Sequence, residues 1–188
     1  MARLPRLQAA NAIFHVTNRG VLGAPIYDDD HDRVAFLRIF ADVVEREAWV
    51  CHSYCLMTNH YHALVWTPRA NLASGMHRLN GNYAQSFNRR HRRMGHVFYR
   101  RYASVLIQSD AHFVEAVQYI AMNPVRAGAA KTPLDWEWSS YAALIGRAPA
   151  PPFLTTSGVL AQFGGDPEAT RRRLRAFVER DRLEQLAA

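Results

Sequence analysis

"LMTNHYHALVW", residues 56–66, places two histidines one residue apart inside an apolar run. Alternate side chains of a strand share a face, so His60 and His62 project together from one side of a sheet. Two imidazoles side by side on one face can grip a metal ion. The preceding "WVCHSYCLM", residues 49–57, is a second strand-like run, and the short "TN" turn between the two predicts a hairpin.

Working outward from this hairpin, the chain alternates strands and helices. "AIFHVTNRG", residues 12–20, alternates apolar and polar positions and ends in glycine, which predicts a first strand. The run "DDDHD" opens a helix over about residues 30–48, with acids at its positive end and Val34, Leu37, Phe40, Ala41 and Val44 as its inward stripe. After the hairpin, "PRANL" breaks the pattern and a second helix follows from Leu72 to Arg92. "HVFYRRYASVLI", residues 96–107, predicts a fourth strand, and "SDAHFVEAVQYIAMNPVRAG" a third helix closed by Pro124 and Gly128. The order β-α-β-β-α-β-α is the split βαβ, or ferredoxin-like, arrangement: an α+β fold with helices packed on an antiparallel sheet. Residues 1–132 form this domain. Residues 133–188, with "WEWSSY" and a terminal helix from about Asp166, are expected to pack on it as a C-terminal helical appendage.

Composition narrows the function. No apolar run approaches membrane-spanning length, and the N-terminus lacks the long apolar core of a secretory signal. Cys51 and Cys55 on a strand expected to be buried point to a reduced protein, so the expected location is the cytoplasm. On an unbroken strand these two cysteines share a face, and a zinc site formed with the histidine pair is the alternative to a hard-metal site. Between Ala48 and Ser109 there is no acidic residue, whereas eight arginines fall there, six of them in "RRHRRMGHVFYRR", residues 89–101. Basic side chains mixed with aromatics suit a polyanion that also offers flat bases to stack on. Nucleic acid is the expected partner.

On the third helix, Val114, Val117, Ile120 and Ala121 share one face, which is expected to meet the sheet. Glu115, Tyr119, Asn123 and Arg126 fall on the opposite side, and Tyr119 and Asn123, four apart, are neighbours there. A histidine pair alone is common by chance, and an asparagine before a proline is an ordinary helix terminator.

Together, however, "LMTNHYH", "RLNGNYAQSFNRRHRRMGHVFYRRY" and "QYIAMNPVRAG" in this order resemble the REP-associated tyrosine transposases, relatives of single-strand transposases in the HUH endonuclease superfamily. The resemblance spans about residues 10–145. It implies that His60 and His62 are the paired metal ligands, with Tyr61 replacing the usual aliphatic residue between them. Asn123 would be the third ligand and Tyr119 the nucleophile. The implied cofactor is a divalent metal, Mg²⁺, for which Mn²⁺ can substitute. Around the arginine-rich segments it implies a DNA-contacting region, to which Arg19, Arg89, Arg90, Arg92, Arg93, Arg100, Arg101 and Arg126 are assigned. The implied substrate is single-stranded hairpin DNA, a repetitive extragenic palindrome, and the closer branch of the family implies a monomer.

These residue types suit phosphoryl transfer. Two imidazoles and an amide oxygen leave a cation its full double charge, with open positions for phosphate oxygens. A tyrosine nucleophile forms a 5′-phosphotyrosine and releases a 3′-hydroxyl, conserving the bond for rejoining. The alternative from another class is a non-catalytic nucleic-acid-binding module, because a ferredoxin-like sheet with exposed aromatics also describes RNA-recognition domains.

Overall fold

Strand β1, Ala12–Arg19, buries Phe14 and Val16 on one face and turns Ile13, His15 and Thr17 to the other. The computed structural model describes residues 8–187, with side chains to residue 180. Helix α1 (Asp30–Arg46) follows, then the hairpin of β2 (Val50–Leu56) and β3 (His60–Thr67), helix α2 (Leu72–His91), strand β4 (Ala103–Leu106) and helix α3 (Asp110–Arg126). The four strands lie in the order β2-β3-β1-β4, and every neighbouring pair is antiparallel. This is the interleaved order expected of two split βαβ units.

The two faces of the sheet serve different purposes. Tyr61, Ala63 and Val65 of β3 join Phe14 and Val16 in a core closed by α1 and α2. Leu64 faces the opposite way into a second core built on Phe113, Val117, Ile120 and Ala121 of α3. By the period-2 rule His60 and His62 share this second face. The Tyr61 hydroxyl donates to Asn80 Oδ1 of α2 at 2.7 Å, so the residue between the histidines anchors the sheet to α2.

Several local expectations are corrected. In α1 the buried residues are Asp32, Phe36, Phe40, Val43 and Val44; Val34 is exposed and Ala41 only half-buried. The inward stripe therefore lies along Phe36, Phe40 and Val43. The fourth strand covers only Ala103–Leu106: residues 96–102 are irregular, with a single bridge between Gly20 and Phe98. Helix α3 does not close at Pro124 but continues to Arg126. A proline this near a helix end forfeits one intrahelical bond while the remaining turn is preserved. The Pro124 carbonyl accepts the Ala129 and Ala130 N–H groups, which completes the turn beyond the helix. Asn123 therefore keeps helical register with Tyr119.

A β-bulge between Cys51 and Ser53 is a further correction. The extra residue reverses the alternation, so Cys51 lies in the α1/α2 core and Cys55 in the α3 core.

Residues 136–140 run beside β2: Leu56 N–H donates to Trp138 O, Trp136 Nε1–H to Leu56 O and Ser140 N–H to Tyr54 O. They cover a sheet edge that would otherwise expose unpaired backbone. Short helices α4 (Tyr141–Leu144) and α5 (Ser157–Ala161) lead to α6 (Pro167–Ala187), whose Leu174 and Val178 are fully buried in the α3 core. Gln118 of α3 donates to Phe177 O at 2.9 Å, tying α6 to α3. No helix among the described residues is long and apolar enough to cross a membrane.

Candidate active site

Register builds the site. Arg19 and Thr17 of β1 stand opposite His60 and His62 of β3, and His15 lies one pleat further along the same face. Helix α3 crosses this face and lowers its C-terminal half onto the histidines. His60 Nε2 is 3.2 Å from Asn123 Oδ1, and His62 Nε2 is 3.2 Å from Asn123 Nδ2. Asn123 is buried, which corrects the expectation that it faces away from the sheet with Glu115 and Arg126. One turn earlier, Tyr119 is 42% exposed, and its ring meets His62 edge-on with centroids 5.5 Å apart. The Arg126 guanidinium lies 5.3 Å from the centre of the Tyr119 ring. A cavity of about 600 Å³ opens beside this cluster, lined by His15, Thr17, His62, Tyr119, Arg126 and Arg180.

Burial sets the charge state. It lowers His62 to about 2, with His15, His60 and Arg19 adding repulsion. It lowers His15 to about 4, with His112 adding to the effect. Burial also holds His60 below its usual range, partly opposed by the Asn123 carboxamide oxygen facing its Nε2. All three imidazoles are neutral at pH 7, the state in which ring nitrogens act as ligands.

Whether this donor set fits a cation can be judged from its hydrogen bonds. His60 Nδ1 is 2.7 Å from Asn59 Oδ1, while Asn59 Nδ2 donates to Gly23 O, which fixes that carboxamide's orientation. A neutral His60 has one proton for two facing oxygens, those of Asn59 and Asn123. With the proton on Nδ1 for the shorter contact, its Nε2 lone pair points at the Asn123 oxygen. A cation among His60 Nε2, His62 Nε2 and Asn123 Oδ1 would resolve that confrontation, so the residues fit one. The carboxamide is indispensable to the set: among the described residues no group of three or more His, Cys, Asp or Glu is disposed to hold a metal.

The same result removes the zinc alternative. Both cysteines are free and buried, burial pushes both thiols above their usual range, and the bulge sends Cys51 to the opposite face of the sheet from the histidines.

The arginines divide into groups. Arg19, Arg100 and Arg101 are exposed and line a small cleft with Tyr99, beside the histidine end of β1. Arg126 stands at the tyrosine. Arg90 is held by Asp29 and Asp32, each at 2.6 Å, and Arg93 by Asp28 at 3.1 Å. These contacts lock α2 to the start of α1. The acid-free window of sequence hid them, because the aspartates come from outside it. Arg89 and Arg92 are exposed at the end of α2, Arg92 as a left-handed cap with φ 50°. A larger cavity of about 780 Å³ lies between α2 and residues 95–102, lined in part by Asn80, His96, Phe98, Tyr99, Arg100 and Arg101.

Two residues of the site escaped the sequence reading. His15 Nε2 lies 2.9 Å from His62 Nδ1, and Arg180 reaches the cavity from α6. His15 was findable: it shares the alternating face of the first strand with Thr17. Nothing local marks Arg180, since only tertiary packing brings α6 across α3.

A family model described as "Transposase IS200 like" matches residues 10–123. Among solved structures, "Structure of the REP associates tyrosine transposase bound to a REP hairpin" aligns with a TM-score of 0.68 at 15% identity, covering 89% of this chain and 93% of that chain. At that identity the likeness is one of fold. No curated protein matches the chain.

Proposed function

We propose that this chain, which belongs to the family of IS200-like transposases and so is a DNA nicking and joining enzyme, cuts single-stranded hairpin DNA through attack by Tyr119. The observation that carries the reading is the convergence of His60, His62 and Asn123, with the Tyr119 ring against His62. That the transposase of similar fold was solved bound to a REP hairpin supports hairpin DNA as the substrate.

Tyr119 Oη bonds to phosphorus while the bond from phosphorus to the 3′-oxygen breaks. The tyrosine gives up its proton, and the departing 3′-oxygen gains one to leave as a hydroxyl. The product is a 5′-phosphotyrosine, and attack by a 3′-hydroxyl reverses the step and joins strands. Arg126 beside the ring supplies positive charge where the phosphate's charge must be held. His60, His62 and Asn123 would hold the divalent cation, Mg²⁺ or Mn²⁺. When bound, that cation supplies charge neutralisation at the scissile phosphate. Arg19, Arg100 and Arg101, clustered at the same end of the sheet, are suited to the DNA backbone.

The test is a denaturing gel of labelled hairpin DNA incubated with protein and Mn²⁺. Wild type should give a protein–DNA adduct; Tyr119→Phe should give none while binding the hairpin with unchanged affinity. An adduct that persists in Tyr119→Phe would remove this tyrosine from the chemistry. Tight binding by wild type without any cut would remove the hairpin as its substrate.

A further inference from the structure

His15 takes no part in the reading above, yet it touches two of that site's members. Its Nε2 lies 2.9 Å from His62 Nδ1, and its ring centroid is 5.7 Å from that of Tyr119. Each nitrogen of the His62 ring therefore has one partner: His15 at Nδ1 and the Asn123 carboxamide nitrogen at Nε2. The carboxamide nitrogen can only donate, so His62 Nε2 must present its lone pair. The His62 proton then sits on Nδ1, and His15 must receive it.

We infer that His15 is a positioning residue: by accepting the Nδ1–H of His62 it holds that ring in the tautomer whose Nε2 lone pair faces Asn123 and a bound cation. The inference rests on the metal-site reading proposed above. A ligating imidazole generally donates its second ring N–H to an oriented acceptor, which fixes the tautomer and raises basicity. For His60 the acceptor is Asn59 Oδ1, on the residue before it. For His62 it is His15, supplied by the neighbouring strand. The sheet register makes this possible, since β1 brings His15 diagonally across from His62 on the shared face. Without an acceptor at Nδ1 that buried N–H is unpaired and only the Asn123 Nδ2–H opposes the other tautomer, so His62 populates the Nε2-protonated form, which cannot ligate.

Two variants and two readouts test this. His15→Phe keeps a flat ring but removes the acceptor; His15→Gln returns an acceptor through its amide oxygen. In metal-free protein, ¹⁵N chemical shifts of the imidazoles report the tautomer. His62 should carry its proton on Nδ1 in wild type and His15→Gln, and shift toward the Nε2-protonated form in His15→Phe. Calorimetric Mn²⁺ titration should show affinity falling about 10–100-fold in His15→Phe and largely recovering in His15→Gln. Equal Mn²⁺ affinity and an unchanged tautomer in His15→Phe would overturn the role of His15 and leave the metal site standing. Failure of wild type to bind Mn²⁺ would overturn the metal site, and this inference with it. Should His15→Phe lose its thermal transition, the comparison of wild type with His15→Gln decides: a His15→Gln protein that folds but leaves His62 protonated on Nε2 also overturns the role.

Discussion

Single side chains in α2 show how far one atom decides an outcome. A Cβ at Gly75 would lie 2.3 Å from Trp49 Cζ2, and the indole cannot easily retreat because its Nε1–H donates to Asn71 Oδ1 at 3.0 Å. Six residues beyond it, around the same helix, a Cβ at Gly81 would meet nothing within 4 Å. Gly75→Ala should therefore destabilise the fold by about 1–3 kcal/mol, the usual cost of overpacking. Gly81→Ala should stabilise it by about 0.5–1 kcal/mol, because alanine loses less backbone entropy in a helix. Urea denaturation of both variants checks the pair, and equal effects would mean the Trp49 contact is not rigid. Asn123 is a sharper case at the same scale. Asn123→Asp keeps the shape but adds a negative charge between two neutral imidazoles, whose pKa values should then rise. Asn123→Ala removes the third donor and should weaken Mn²⁺ binding while leaving the fold intact, as read by calorimetry and by thermal melting.

Between elements, the junction of α1 and α2 holds the largest set of ion pairs among the described residues. Asp32, almost fully buried, accepts from the Asp28 backbone N–H at 2.8 Å and faces Arg90 and His91. Burial alone would raise its carboxyl; the Asp28 N–H, His91 and Arg90 together outweigh that and hold it below its usual range. The Arg90 hydrogen bond holds Asp29 well below its usual range too. A carboxyl depressed in the folded state contributes stability above its unfolded pKa and loses it as pH falls through the folded value. The melting temperature should thus be flat in this respect above about pH 5 and fall progressively below about pH 4, where unfolded aspartates protonate. Asp32→Asn should remove much of that acid dependence and cost about 1–3 kcal/mol at pH 7, discounted from a fully buried pair because Arg90 is partly exposed. This junction also marks the limit of what the sequence discloses. The strand and helix order followed from periodicity, the shared face of His60 and His62 from their spacing, and the role of Tyr119 only from the family resemblance. The bulge at Cys51–Ser53, the irregular path of residues 96–102 and the pairing of Arg90 with distant aspartates are tertiary events. No local pattern near them distinguishes a bonded arginine from one left for DNA.

Over the whole molecule, the arginines are not interchangeable, and salt should sort them. Removing Arg100 or Arg101 should weaken hairpin binding and reduce the slope of log affinity against log salt by about one each. Arg90→Ala should instead lower the melting temperature and leave that slope alone. Fluorescence anisotropy over a range of NaCl separates these outcomes. The second global property concerns which tyrosine serves which histidine pair. Tyr119 and His62 meet edge-on within one chain, at 5.5 Å between ring centroids, and α3 carries both Tyr119 and Asn123 one turn apart. α3 is packed against the sheet through Phe113, Val117, Ile120 and Ala121, and α6 is tied to α3 from outside by Gln118. Lending the tyrosine to another copy would mean detaching a helix whose own end carries the proposed third donor, so the two residues travel together. We propose that a chain assembled in this way completes its site alone. Mixing Tyr119→Phe with His62→Ala should therefore restore no adduct, and wild-type adduct formation per molecule should not depend on protein concentration. Appreciable recovery of the adduct in the mixture would show that the tyrosine acts across two chains and that α3 can leave the surface it covers here.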